Sequence, residues 1–130
     1  MESIFSKIVA GQIPAHKVAE TLDYLAFLDI NPLTEGHLLV IPKKEVDYLF
    51  DLDSETYFGL MMFAQIVAVG LKRAIPCERI GLTVIGLEVP HAHIHLIPIN
   101  SMDDMNFSRP KLKLSEERLS EIAEAIRVQL

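Results

Sequence analysis

A chain of 130 residues and 14.6 kDa has the length of one domain, and its 50% apolar and 23% charged residues are enough for a packed core. The formal net charge of −6 and pI near 5.3 exclude a nucleic-acid coat or a polybasic membrane binder, both of which need a positive field. A small anionic ligand held by local donors remains compatible, and a single cysteine, Cys77, excludes a disulfide-stapled secreted scaffold.

The first residues, MESIFSKIVAGQIP, carry an acid at position 2 and interrupt their apolar run at Ser6, Lys7 and Gly11. That is unlike a signal peptide, and a cytoplasmic location is expected. Residues 4–9 read as a short helix stopped by Gly11. Residues 24–30 and 37–42 read as two antiparallel strands joined by the turn NPLTEG. Residues 54–73 read as a long helix with Ser54 as its cap and Glu55 in its first turn. That helix has one apolar stripe through Tyr57, Leu60, Met61, Ala64, Val67, Ala68 and Leu71, and a second through Phe58, Met62, Ile66 and Val69. Two apolar sides need two partners, the sheet and a second copy of the chain. Its most apolar stretch, 59–71, is shorter than the roughly 20 residues of a membrane span. Two more strands are read over 79–85 and 91–99, then a polar loop over 100–110 and a helix from 115 to 130 capped by Ser115. This order describes one α+β domain, residues 1–130, with a mostly antiparallel sheet.

The chemistry concentrates in HAHIHLIPI, residues 91–99. On an extended strand alternate side chains share a face, which places His91, His93 and His95 together with Ala92, Ile94 and Leu96 opposite. Core filling explains three imidazoles poorly, because each buried ring has two nitrogens to satisfy. His37 opens the strand HLLVIP and joins the triad if those strands are neighbours; His16 carries no assignment. Cys77 reads as a small half-buried thiol.

Zinc accepts imidazole, but the Cα atoms of His91 and His95 would lie about 13 Å apart on a strand rising ~3.3 Å per residue. Three such ligands on one ion need a bent strand, so metal chemistry ranks second. Anion chemistry fits better: imidazoles offer a nucleophilic nitrogen, donors to phosphate oxygens and a charge that titrates near neutral pH. A histidine nitrogen attacking phosphorus divides a nucleotidyl transfer into two easier steps, provided its other ring nitrogen is held.

The pattern His-apolar-His-apolar-His-apolar-apolar resembles the signature of the histidine triad (HIT) superfamily. The resemblance extends through SIFSKIVAGQIPA, FLDINPLTEGHLLVIPKK and GLEVPHAHIHLIP, covering roughly residues 2–99 in the family's order, and is strongest to the histidine triad nucleotide-binding branch. It implies a HIT-like α+β fold: a five-stranded, mostly antiparallel sheet, one long central helix and a C-terminal helix. It implies a nucleotide substrate, a covalent nucleotidyl intermediate on His93 and a two-fold homodimer. His91 and His95 would orient His93 and contact phosphate, with His37 beside them. Asp29 would accept the ribose hydroxyls. Ile4, Phe5, Ile8, Ile13, Phe27, Leu28 and Ile30 would wall the base, and the loop through Gly86 and Glu88 would lie at the phosphate.

The chain departs from the family at three places. Zinc-containing members use Cys-x-x-Cys near the start, a histidine after the PKK block and the first triad histidine; Ser3, Ser6 and Glu45 stand at those places here, leaving His91. No metal and no cofactor are expected. The loop IGLTVIGLEV keeps Gly86 but places Leu87 where glutamine is usual and Glu88 where serine is often found, and it lacks the family's asparagine. His95 replaces the glutamine of the uridylyltransferase branch, which favours hydrolysis over transfer. The expectation is a nucleotide hydrolase or transferase releasing a nucleoside monophosphate from a phosphoramidate or dinucleoside polyphosphate. The alternatives are a nucleotide-binding module with little turnover and a metal-dependent hydrolase using part of the triad. Neither nucleic acid nor membrane is expected as a partner.

Overall fold

A computed structural model describes residues 2–130. Helix α1 (Ile4–Val9) is capped by the Ser3 hydroxyl and ends at Gly11, whose φ of +79° lets its N–H turn back onto the Ile8 carbonyl. Five strands follow in one antiparallel sheet: β1 (Lys17–Glu20), β2 (Tyr24–Leu28), β3 (Leu38–Pro42), β4 (Arg79–Thr83) and β5 (Ile94–Ile99), in the spatial order β1-β2-β3-β5-β4. Helix α2 (Ser54–Ala74) joins β3 to β4, and α3 (Glu116–Arg127) closes the described chain.

Three expectations on the elements change. Strand β1 was not legible, because KVAE is short and carries only one buried side chain, Val18. The cap of α2 is Asp53, whose carboxylate accepts the Thr56 N–H, and Ser54 is the first helical residue. Strand β5 begins at Ile94, three residues later than expected, yet the alternation holds: Ala92, Ile94 and Leu96 pack into the main core, while His91 and His93 lie against Phe5 and His95 opposite Leu39 on the other side. The polar loop also holds a single 3-10 turn at Met102–Met105.

Side-chain parity divides the sheet. Ala26, Leu28, Leu38, Val40, Ile94 and Leu96 point to the side covered by α2 and α3, where Leu60, Ala64, Val67, Leu71, Leu119, Ile122 and Ile126 complete the main core. Burying each large aliphatic there contributes roughly 1.5–3 kcal/mol. Helix α2 lies close because position 59 has no side chain; a Cβ would collide with the Tyr24 hydroxyl. On the other side, Leu25, Phe27, Leu39 and Ile41 are covered by Phe5 and Ile8 of α1, forming a second, smaller cluster. Opposed residues of an antiparallel pair share a face, so His95 opposite Leu39 lies on this thinly covered side. Asp29, His37 and His93 belong to it by the same parity.

The second apolar stripe of α2 remains uncovered: Phe58, Met62 and Ile66 are 64%, 64% and 63% exposed. The helix is long and apolar enough to cross a membrane, but its other side is the core of the sheet layer.

Candidate active site

His37 stands just before β3, and Asp29 just after its neighbour β2, with the Asp29 N–H bonded to the His37 carbonyl at 3.0 Å. The β3–β5 pairing then sets the His37 ring against His95, Nε2 to Nδ1 at 2.9 Å. The protons on this pair follow from one backbone group. The Leu33 N–H donates to His37 Nδ1 at 3.0 Å, and an amide N–H only donates. Nδ1 of His37 is therefore bare, its hydrogen sits on Nε2 and donates to His95 Nδ1, and the hydrogen of His95 must sit on Nε2. Burial holds both rings neutral, lowering His37 to about 3 and His95 to about 4. The result is a fixed donor, His95 Nε2–H.

His93 has the opposite tautomer. Its Nδ1 lies 2.7 Å from the His91 carbonyl, which only accepts, so Nδ1 carries the hydrogen and Nε2 a free lone pair. Among the described residues every sealed side-chain N or O atom has a partner. The unpartnered Nε2 atoms of His93 and His95 therefore reach the surface, although the residues are only 6% and 8% exposed. Phe5 packs edge-on to His93 with centroids 5.0 Å apart, and the His93 and His95 rings are also 5.0 Å apart.

His91 does not line the opening. Its ring is fully buried, with Nε2 donating to the Pro42 carbonyl and Nδ1 accepting from the Ser3 hydroxyl, both at 2.8 Å. Both ring nitrogens are occupied, so the expected phosphate contact is corrected: His91 acts on His93 through its main-chain carbonyl.

The other expected residues divide by face. Phe5, Ile8 and Phe27 form the buried cluster beside His93, with Ile13 half-buried against it. Leu28 faces the main core instead, because its even position on β2 points opposite to Phe27, and its expected place in the base wall is corrected. Ile4 and Ile30 are exposed and lie outside the buried cluster. Asp29 is half-buried; it accepts the Asn31 N–H at 2.9 Å, and its second oxygen lies 3.7 Å from His37 Nε2. Burial raises its pKa, opposed by that hydrogen bond and by the charges of His93 and Lys111, and reinforced by Glu88. Gly86 adopts φ +77°, and Leu87 and Glu88 after it are exposed, offering no side-chain N–H to a phosphate.

A strap over residues 100–113 covers the His37–His95 pair. Phe107 lies edge-on to His95 at 5.0 Å and to His37 at 6.2 Å, and Lys111 Nζ donates to the Phe107 carbonyl at 2.6 Å. Arg109 donates to the Leu33 carbonyl, and the Leu112 N–H to that of Pro32, tying the strap to the β2–β3 turn. Phe107 and Lys111 were missed from sequence; the only signal was one aromatic residue in a polar stretch.

Two groups of potential metal ligands come together in the fold. Ligand atoms of Asp29, His37 and His95 lie within 4.8 Å of one another. A metal there needs a lone pair on His37 Nε2, but that ring's lone pair already accepts from Leu33, so these residues do not fit. Ser3, Ser6, Glu45 and His91 also come together, and they bond one another: Glu45 accepts from the Ser3 N–H at 2.6 Å and the Ser6 hydroxyl at 2.7 Å. Two hydroxyls, one already committed to a carboxylate, are poor zinc ligands, and this group does not fit either.

The HIT domain family matches residues 10–102. The chain belongs to the HIT family. An adenosine 5′-monophosphoramidase of Schizosaccharomyces pombe is 35% identical over 129 residues, covering 97% of this chain and 96% of that protein. A HIT-like protein of Bartonella henselae, described as involved in cell-cycle regulation, has a solved structure with TM-score 0.86 and 34% identity, covering 99% and 97% of the two chains. A zinc-bound HIT protein of Mycobacterium smegmatis gives TM-score 0.84 at 28% identity, covering 99% and 93%. This chain has the HIT fold, α+β with one five-stranded sheet.

Proposed function

We propose that this HIT protein hydrolyses a nucleoside 5′-monophosphate from its leaving group through a nucleotidyl intermediate on His93. The observation that carries the reading is the 2.7 Å bond from His93 Nδ1–H to the His91 carbonyl, which leaves Nε2 as the nucleophile. In the first step His93 Nε2 attacks the α-phosphorus, the bond from phosphorus to the leaving group breaks, His95 Nε2–H donates a hydrogen bond that stabilises the departing charge, and the leaving group takes its proton from solvent. In the second step water attacks phosphorus and loses its proton to solvent, and the N–P bond breaks, returning the lone pair to His93 Nε2 and releasing the monophosphate. Neutral donors aimed at the phosphoryl oxygens supply the electrostatic stabilisation, and no step is routed through a metal. Asp29 is proposed to accept the ribose hydroxyls, and Phe5, Ile8, Ile13 and Phe27 to hold the base.

A phosphoramidate is favoured as substrate, supported by the naming of the fission-yeast relative as an adenosine 5′-monophosphoramidase. A binding module with little turnover is the second reading, favoured by the exposed, donor-poor Leu87 and Glu88. The test is a screen of adenylyl and guanylyl phosphoramidates and dinucleoside polyphosphates against wild type and His93→Ala. Wild type should give a burst of leaving group and a nucleotide trapped on the HAHIH peptide; His93→Ala should lose turnover but keep nucleotide binding, with His95→Ala less severe. Full activity of His93→Ala, or a label trapped elsewhere, refutes the mechanism. The uncovered stripe of α2, with the shallow grooves along Met61, Met62, Gln65, Ala68, Ile80 and Leu82, supports a homodimer as part of the same proposal.

A further inference from the structure

Glu45 lies on the surface after β3, and a continuous line of hydrogen bonds leads from it through Ser3 and His91 to the nucleophile. We propose that Glu45, acting through Ser3 and His91, is a positioning residue that holds His93 in its attacking tautomer. The inference rests on the reading of His93 as nucleophile.

Each bond in the line fixes the direction of the next. Glu45 Oε1 accepts the Ser6 hydroxyl at 2.7 Å, so that the Ser6 hydrogen is committed away from His91, whose Nδ1 is 3.5 Å from Ser6 Oγ. The same Oε1 accepts the Ser3 N–H at 2.6 Å, anchoring the backbone of the residue that caps α1. The Ser3 hydroxyl oxygen accepts the Ser6 N–H at 3.0 Å, which leaves its own hydrogen for His91 Nδ1 at 2.8 Å. The His91 ring is then held at both nitrogens, since Nε2–H donates to the Pro42 carbonyl, and its main-chain N–H donates to the Val89 carbonyl at 2.8 Å. Only its carbonyl remains, and that atom receives His93 Nδ1–H at 2.7 Å.

The arrangement has the logic of an orienting third group behind a catalytic histidine, except that a carbonyl placed by a buried ring replaces a carboxylate. Without Glu45 the Ser6 hydroxyl is free to compete for His91 Nδ1, and Ser3 loses its backbone anchor. The His91 carbonyl then has no fixed position, and His93 samples the tautomer whose hydrogen blocks Nε2. Ser3 is 4% and His91 0% exposed, so water does not replace the lost partners readily.

The experiment compares Ser3→Ala, Glu45→Ala and Glu45→Gln by two readouts. The first is the two-bond 15N–1H correlation pattern of the His93 ring, which reports the tautomer without any substrate. The second is the single-turnover rate of nucleotide transfer, measured beside KM. Ser3→Ala and Glu45→Ala should convert a pure Nδ1–H ring into a tautomer mixture and slow transfer about tenfold or more, with KM within about twofold of wild type. Glu45→Gln keeps an oxygen that accepts the same bonds and should retain both properties. If Ser3→Ala fails to fold, Glu45→Ala at the exposed end of the line decides the test alone, while Ser6→Ala, which removes only the competing hydroxyl, should keep the Nδ1–H form. A lowered melting temperature with an unchanged His93 tautomer and unchanged rate overturns the proposal and reduces the cluster to a structural stitch. A wild-type ring in the Nδ1–H form with no turnover of any substrate would refute the proposed hydrolysis instead, leaving the positioning to be judged on tautomer alone.

Discussion

Lowering the pH from 6.5 to 5.0 should destabilise this protein by about 3 kcal/mol through His37 and His95. Both rings are neutral in the native state, with pKa values lowered to about 3 and about 4 chiefly by burial, whereas in the unfolded chain a histidine titrates near 6.5. Between those values the unfolded chain binds protons that the native state does not, so stability is full above pH 6.5 and is lost as the pH falls. Integrating the linkage slope of about 1.4 kcal/mol per unit from half-protonation at pH 6.5 to pH 5.0 gives about 1.6 kcal/mol for each ring. His91, lowered by its burial, adds in the same direction, while Asp29, raised by burial, offsets part of the loss at the acid end. The lowered carboxylates act below their own unfolded values near 4, outside this window. Urea denaturation at fixed protein concentration should show the midpoint falling by one to three molar across the window, for an m-value of roughly 1–3 kcal/mol/M. Phe107→Ala uncovers His95, returns its pKa towards 6.5 and should flatten the dependence. A midpoint unchanged between pH 6.5 and 5.0, or His37 and His95 both titrating near 6.5 by NMR, would refute the reasoning.

Met62→Lys should convert a dimer to a monomer in sedimentation equilibrium, with Kd raised at least about a hundredfold because an unpaired charge would be buried at the contact. Since Met62 is 64% exposed in the single chain, monomer stability should change by no more than about 0.5 kcal/mol, and a wild type that is already monomeric at micromolar concentration removes the basis of the prediction. Purified protein should contain far less than one zinc per chain, and its melting temperature should not move on addition of EDTA, because Ser3, Ser6 and Glu45 satisfy one another; stoichiometric zinc by elemental analysis contradicts this.

Much of this protein is local and hence readable in one dimension. The 3.6-residue period of α2, with one buried and one exposed apolar stripe, follows from spacing alone, and so does the left-handed stop at Gly11. The spacing of the histidines marked where the chemistry lies. The roles within that cluster were not readable, because a ring's function depends on which of its nitrogens is free, and that is decided by groups distant in the chain. The Leu33 N–H sets the proton of His37, which sets that of His95 58 residues later. Ser3 and Pro42, 88 and 49 positions from His91, take both of its nitrogens and remove it from the opening. Alternation predicted one side for the triad, and the packing agrees, but it could not show that Ser3, Phe5 and the Pro42 carbonyl seal the His91 ring from the opening. The same dependence on partners explains Leu28: its apolar character was plain, whereas the face it buries is set by sheet register and by which helix covers which side. Sequence thus determined every helix and strand but the short β1, together with the reactive groups, and tertiary structure decided the protons of those groups and which partners seal them, since hydrogen-bond direction is a property of pairs that the fold alone brings together.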